Sequence, residues 1–395
     1  MSPPYGESTR GNSTTHTGTW LDALGTQPQT RRKSMQVMHL RCAGLDVHKK
    51  TVVACVMISQ PDGGVEQYTA TFGTMTPDIL GMSDWLKGHG VTHAAMESTG
   101  VYWRPIYQLL EGQFTLLVAN AQHIHRMPGR KTDVTDAQWL VDLLRHGLIT
   151  PSFVPPQAQR ELRELTRHRS NVAGRRAQCI NEVHRTLEGT NIKLSSVATD
   201  ITGKSATDML EHLLAGQSDP EVLAELARGV LRKKIPQLRQ ALQGVVRAHQ
   251  QLILSQLLAD IAACDEEMLA LNAEIAGRLT QEQEILERLD EIPGVNRRVA
   301  EVIVAELGTD MKRFGSASRA AAWSGMCPAN RQSGGRTYRA RSRFGNKHLK
   351  SALTEAGRAA GRSKETYLGA QYRRITVRRG GKRAALAVGH SILTI

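Results

Sequence analysis

The run VMHLRCAGLDVHKKTVVACVMISQPDGGVEQYTATF, residues 37–72, decides the fold. Its apolar and β-branched residues fall into three blocks, 37–45, 51–58 and 65–72, each short enough for a strand. Polar His48-Lys49-Lys50 separates the first two blocks, and Pro61-Asp62-Gly63-Gly64 separates the last two. Gly, Pro and Asp supply the backbone angles that tight turns need. Three strands joined by short turns are therefore predicted.

Beyond residue 72 the period changes. A helical pattern at 77–87 precedes a short apolar strand at 93–96, and a second helical pattern at 102–110 precedes another strand at 114–118. Residues 131–148 read as a helix, with Val134, Ala137, Leu140, Val141 and Leu144 on one stripe. Strands in succession followed by alternating helix and strand predict a mixed sheet flanked by helices, the layout of a ribonuclease H-like (RuvC-like) α/β domain over 37–152. Pro151, Pro155 and Pro156 mark its end.

The rest reads as helical. A basic helix is expected over 157–187 and a second long helix over 235–289, paired as an antiparallel coiled coil around a small helical insert near 207–232, so that 153–290 forms a coiled-coil linker. At 291 the character changes to Ile292-Pro293-Gly294-Val295 followed by Val299, Ile303 and Leu307, a pattern like a helix-hairpin-helix. In such a turn the main-chain N–H groups at Gly294 can hold a phosphate without reading a base, although an ordinary packing corner has the same pattern. Residues 291–395 are assigned to a mainly helical C-terminal domain. Residues 1–36, rich in Ser, Thr, Gly and Pro, are expected to be a disordered tail, with Met35 or Met38 as alternative starts. The apolar run 384–395 is expected to be cut short at the C-terminus.

Lys and Arg number 51 against 37 Asp and Glu, a net charge of +14, which favours a polyanionic partner. The excess clusters between Arg160 and Arg185 and between Arg331 and Arg383. Nucleic acid is the expected partner, with Arg163, Arg167, Arg175 and Arg176 in the first cluster and Arg331, Arg336, Arg339, Arg341, Arg343 and Lys347 in the second as candidate phosphate contacts. The five cysteines show no C-x-x-C pair, so neither zinc nor a disulfide framework is expected. With no long apolar span, a membrane role is not expected either, and a reducing cytoplasm is the expected location.

Four carboxylates carry the chemistry. Asp46 and Glu97 close two of the apolar strands, while Asp133 and Asp136 stand three apart at a helix start, on one face. Hard oxygen ligands suit Mg²⁺ or Mn²⁺, and ions so held activate and stabilise the oxygens exchanged when a phosphodiester is cut. Singly, a strand-end Asp serves as well in a turn and Asp133 as a helix cap; the constellation is what points to a metal site.

The stretches GLDVHKK, MESTGVYW, KTDVTDAQWLVDLLRHGLI, IKLSSVATDI, IPGV and SGMCPANRQSGGRTYRARSRFGNKHL, spread over residues 41–390, resemble the DEDD transposases of the insertion-sequence family numbered one hundred and ten, relatives of the pilin-gene invertase. The resemblance implies that Asp46, Glu97, Asp133 and Asp136 are the metal-binding acids. It implies a nucleophilic serine at Ser333, a covalent phosphoserine intermediate, a site completed between subunits of a homo-oligomer, and a structured bridge RNA that pairs with the DNA. Ser324 is the rival serine, although its apolar neighbours suggest a packed turn. Two other functions use parts of the same pattern: a structure-specific endonuclease that needs the acids but no serine, and a non-catalytic DNA-binding protein that needs neither.

Overall fold

The computed structural model describes residues 36–395 apart from 99, 126, 128–134, 328–330, 339–341 and 343, with the main chain alone for 122, 125, 331–333, 337 and 338. The chain forms two compact units, divided between Val154 and Pro155. The tail expected over 1–36 lies almost wholly outside the described residues.

The first unit is built on strands β1 (Arg41–Val47), β2 (Thr51–Ser59) and β3 (Val65–Gly73), helix α1 (Thr76–Gly88), β4 (His93–Glu97), α2 (Trp103–Leu110), β5 (Thr115–Ala119), the short α3 (Ala121–His125), α4 (Asp136–Arg145) and β6 (Pro151–Ser152). The sheet order is β3-β2-β1-β4-β5-β6. Strands β1 to β3 pair antiparallel, β4 lies parallel to β1 and to β5, and β6 pairs antiparallel with β5. This is the mixed sheet the pattern predicts, with one addition. The prolines near 151 read as a boundary, yet Pro151 and Ser152 add an edge strand, where a residue without N–H is tolerated.

Alternation along the strands gives the sheet two dry faces. Ala43, Leu45, Val47, Ala94 and Met96 point to one, against Ile79, Met82 and Leu86 of α1 and Ile106 and Leu110 of α2. Cys42, Cys55 and Ala95 point to the other, against Ala137, Leu140, Val141 and Leu144 of α4. Gly44 shows how close α4 lies: a Cβ there would sit 2.2 Å from the Ala137 carbonyl oxygen and 2.7 Å from the Val141 nitrogen. Only a glycine lets the helix backbone rest on the strand. The amides of Met38 and His39 bond the Arg145 carbonyl at the far end of the helix, so α4 runs antiparallel to β1 and starts over its C-terminal end.

The second unit contains α5 (Gln157–Gly189), α6 (Leu194–Val197), α7 (Lys204–Leu214), α8 (Pro220–Glu225), α9 (Ile235–Ala241), α10 (Ala248–Arg278), α11 (Gln283–Asp290), α12 (Arg297–Leu307), α13 (Ala317–Trp323), the strands β7 (Arg331–Ser333) and β8 (Arg336–Tyr338), α14 (Lys347–Ala360), α15 (Tyr367–Arg379) and α16 (Gly381–Thr394). Helices α5 and α10 lie side by side and antiparallel, as ion pairs Glu161–Arg278 near one end and Arg176–Asp265 toward the other require. The single helix expected over 235–289 is instead α9, α10 and α11. The first break is tertiary in origin. Gly244 passes so close to the end of α5 that a Cβ would lie 2.5 Å from the Thr190 carbonyl oxygen, and the Val245 amide bonds that same oxygen. The second break, a short 3₁₀ turn over Thr280–Glu282, follows the buried Leu279. Helices α6 to α9 form the expected insert, and Leu194, Met209, Leu223 and Leu238 share one core with Val183 and Leu187 of α5 and Leu254, Leu257 and Ile261 of α10.

Candidate active site and nucleic-acid interface

Strand register brings the first two acids together. Leu45 pairs with Met96 on the adjacent parallel strand, so the next residues, Asp46 and Glu97, end neighbouring strands about 4.8 Å apart. Asp46 lies two residues from Gly44, and Glu97 two residues from Gly44's partner Ala95; both acids therefore face the side of the sheet covered by α4. Asp136 is the first residue of α4, next to the Ala137 that rests on Gly44. Three of the four expected acids thus occupy one end and one face of the sheet. Asp133 lies outside the described residues.

The start of α4 is held by a reciprocal cap. Thr135 Oγ1 accepts from the Gln138 amide at 3.3 Å, and Gln138 Oε1 accepts from the Thr135 amide at 3.0 Å. The capping role that the sequence left open for Asp133 belongs to Thr135. Asp136, in the first turn, adds a negative charge where the helix dipole is positive.

Asp46 is half-buried, and its Oδ2 lies 3.2 Å from His48 Nε2. The sequence reading set His48 aside as a turn residue. It is one, since its amide bonds Thr51 O at 2.9 Å to close the β1–β2 hairpin, but the same turn swings its ring back onto Asp46. The available signal was an imidazole two residues past a strand-end acid.

Asp46, Glu97 and Asp136 offer carboxylate oxygens alone, a donor set that fits Mg²⁺ or Mn²⁺ better than the softer metals. No three His, Cys, Asp or Glu side chains among the described residues lie close enough to form a closed metal cage. The strands and α4 place these three acids at one end and one face of the sheet.

In the second unit Ser333 closes β7 and pairs with Arg336 across the two-residue turn Gly334-Gly335. Both glycines have positive φ, 56° and 74°, as the turn types favoured in such hairpins demand. Two short segments separated by Gly-Gly are the local signal for this hairpin. Arg331 stands on β7, Arg336 is exposed on β8, and Arg339, Arg341 and Arg343 lie outside the described residues. Ser324 is fully buried at the end of α13 and donates its hydroxyl to the Ala321 carbonyl at 2.9 Å, the packed turn its neighbours suggested.

The Ile292-Pro293-Gly294-Val295 turn does join two helices, α11 and α12. Gly294 has φ 93°, and a Cβ on it would lie 2.3 Å from Ala356 O and 2.6 Å from Ala360 N of α14. Its flank is packed against protein rather than open to a ligand.

Arg163, Arg167, Arg169, Arg175 and Arg176 of α5 are committed within the chain. Arg167 grips Glu306 with two bonds, 2.7 and 2.8 Å, and Asn346 Nδ2 donates to the same carboxylate at 2.6 Å. Arg163 bonds the carbonyls of Ala305 and Glu306 and stands 3.4 Å from the Glu306 carboxylate. Arg176 makes a two-point pair with Asp265, and Arg175 pairs with Glu267 at 2.5 Å. Arg169 joins buried Glu301 at 2.6 Å. Glu306 is wholly buried; burial alone would push its pKa up, but the bonds from Arg167 and Asn346 and the charges of Arg167 and Arg163 hold it below the usual carboxylate value. Burial pushes Arg163 down to about 10, still charged at neutral pH.

The sheet unit and the C-terminal hairpin region each match a family profile. One, for DEDD transposases of the IS110 group, covers residues 43–192, and the other, described as the transposase IS116/IS110/IS902 family, covers residues 286–373. Both profiles are of transposases, which sets the class of protein, and the mixed sheet is consistent with the first of them. The chain belongs to the IS110 family. It is similar to the insertion element IS116 uncharacterized 44.8 kDa protein of Streptomyces clavuligerus, 26% identical over 251 residues. That match covers 56% of this chain and 62% of the relative. No helix among the described residues is long and apolar enough to cross a membrane.

Proposed function

We propose that this chain is the DNA transposase of an insertion sequence, cutting and rejoining strands with a divalent-metal site at Asp46, Glu97, Asp133 and Asp136 and a serine nucleophile at Ser333. The observation that carries the reading is the placement of Asp46, Glu97 and Asp136 at one end and one face of a mixed sheet within a chain of the DEDD family. Bound Mg²⁺ or Mn²⁺ would supply charge stabilisation to the oxygens exchanged at phosphorus. Ser333 would lose its hydroxyl proton and form a P–O bond while the bond to one DNA oxygen breaks, that oxygen taking up a proton. The resulting ester conserves the phosphodiester for rejoining, and no oxidant or reductant is needed.

The antiparallel α5–α10 pair, read as a coiled coil, serves as an assembly element in this proposal, while the turn around Gly294, packed against α14, joins α11 to α12 rather than holding DNA. Arg331, Arg336, Arg339, Arg341, Arg343 and Lys347 hold phosphates around Ser333, and half-exposed Arg175 reaches a phosphate by exchanging Glu267. A structured guide RNA pairs with donor and target, and the site is completed between subunits of a homo-oligomer.

Complementation tests the core of this. Asp46→Asn and Ser333→Ala proteins should each be inactive alone, and the mixture should regain cleavage if acids and serine come from different subunits. On denaturing gels DNA should be attached only to the chain that keeps Ser333. Full nicking by Ser333→Ala alone would instead make the protein a hydrolytic nuclease.

A further inference from the structure

A groove of about 620 Å³ runs between α5, α10, α12 and α14 of the second unit. Its cationic lining comes from Arg298, in the first turn of α12, and Lys347 and His348, in the first turn of α14. Arg298 and Lys347 are exposed and have no carboxylate partner among the described residues, unlike the α5 arginines beside them. The imidazole of His348 is held below its usual pKa, by burial first and then by the charges of Arg167 and Lys347 against the opposing charge of Glu306. Glu355 is the acid on the opposite stretch of α14, and Arg169 on the α5 wall is already neutralised by Glu301.

The α5 wall is made of Ser170, Ala173 and Gly174. A glycine within a 33-residue helix costs about 1 kcal/mol relative to alanine. No atom of a neighbouring element explains Gly174, because a Cβ there would meet nothing within 4 Å. Across the groove Ser351 and Ala352 of α14 are equally small. Small side chains on both walls keep the space open, and the cations stand at one end of it. No Phe, Tyr or Trp among the described residues lines the groove, and its one ring is the half-buried imidazole of His348, so it offers charge rather than a stacking platform for bases.

We infer that this groove binds the phosphodiester backbone of a single nucleic-acid strand, independently of sequence, with Arg298 and Lys347 as the phosphate contacts and Gly174 as the opening that admits it. The inference rests on the proposed transposase function for the presence of such a strand. An extended single strand tracks a cationic groove of this kind. The shared chemistry is the phosphodiester; DNA and RNA are its two sources.

The test is fluorescence anisotropy with labelled oligo-dT and oligo-U of about 20 nucleotides, on the full chain, in chelator. Without metal no cleavage occurs, so this measurement and the complementation test fail independently. Arg298→Ala/Lys347→Ala should weaken binding at least about tenfold and lower the log–log salt slope by about 1.4, at about 0.7 for each phosphate left unneutralised. Gly174→Leu should weaken binding with no change of charge, while Tm stays level or rises because leucine is the better helix former. Weakened binding of oligo-dT alone assigns the groove to DNA, of oligo-U alone to RNA, and of both to either strand. If Gly174→Leu binds both strands like the parent chain while keeping its Tm, the groove is not the site. An unchanged salt slope in the double variant overturns it as well.

Discussion

The end of the sheet in the first unit and the α5–α12 contact in the second are both dense in charge, and they organise it in opposite ways. At the sheet end, Asp46, Glu97 and Asp136 bring like charges to one place. Between α5 and α12, Arg163, Arg167 and Arg169 meet Glu306 and Glu301 in opposite pairs, and the carboxylates are buried almost completely. Cancelled charge in a dry contact acts as a strut: removing one member strands the other, so the network specifies how α12 sits on α5. Gathered like charge destabilises the chain that carries it and is consistent with a cation from outside. A row of arginines in sequence therefore says little about nucleic-acid binding until the carboxylates that face it are known.

The comparison can be broken at either end. The largest expected effect is on stability: Glu306→Ala should cost about 3–5 kcal/mol in urea unfolding of the full chain by leaving Arg163 and Arg167 without their carboxylate. The pH dependence follows from the lowered pKa of Glu306. Its stabilisation is present above the unfolded carboxylate value of about 4.3 and is lost as pH falls through the lower folded value. Glu306→Gln should flatten that acid limb; a limb of unchanged slope would remove Glu306 from the account.

Asp46→Asn should show the reverse profile. Strand cleavage should fall about 10²–10³-fold, the several kcal/mol that charge stabilisation by bound metal supplies, while the unfolding midpoint stays level or rises. A midpoint drop as large as that of Glu306→Ala would make Asp46 structural. A smaller effect joins the two properties. Gly44→Ala should destabilise by about 1–3 kcal/mol, because its methyl group meets the α4 backbone, and should lower cleavage by displacing Asp136. Cleavage at the parent rate in folded Gly44→Ala protein would separate α4 position from activity.

The smallest effect is expected on the salt dependence of nucleic-acid binding. Arg163→Ala/Arg167→Ala should leave the slope unchanged although it destabilises the protein, since both guanidiniums are committed to Glu306 and main-chain carbonyls. A slope lower by about one unit per arginine would return them to the nucleic-acid surface.

Much of the first unit was legible in the residues. Blocks of β-branched and apolar residues separated by turn formers located β1 to β5 within a few positions, because strand alternation and turn chemistry are local. The same locality marked Asp46 and Glu97 as strand-end acids and the IPGV turn as a helix junction. The hairpin that carries Ser333 is also written locally, in Gly334-Gly335.

What tertiary structure alone decided is what depends on approach between distant segments. The break between α9 and α10 comes from Gly244 crossing the end of α5, and the side of the sheet that receives α4 from the bare Cα of Gly44. The pairing of the α5 arginines depends on carboxylates that lie 89 to 143 positions away along the chain. Propensity, alternation and turn chemistry act over a few residues and leave their record in the sequence. Ion pairing, close backbone contact and the width of a groove depend on where two remote segments come to rest, which the local pattern does not encode.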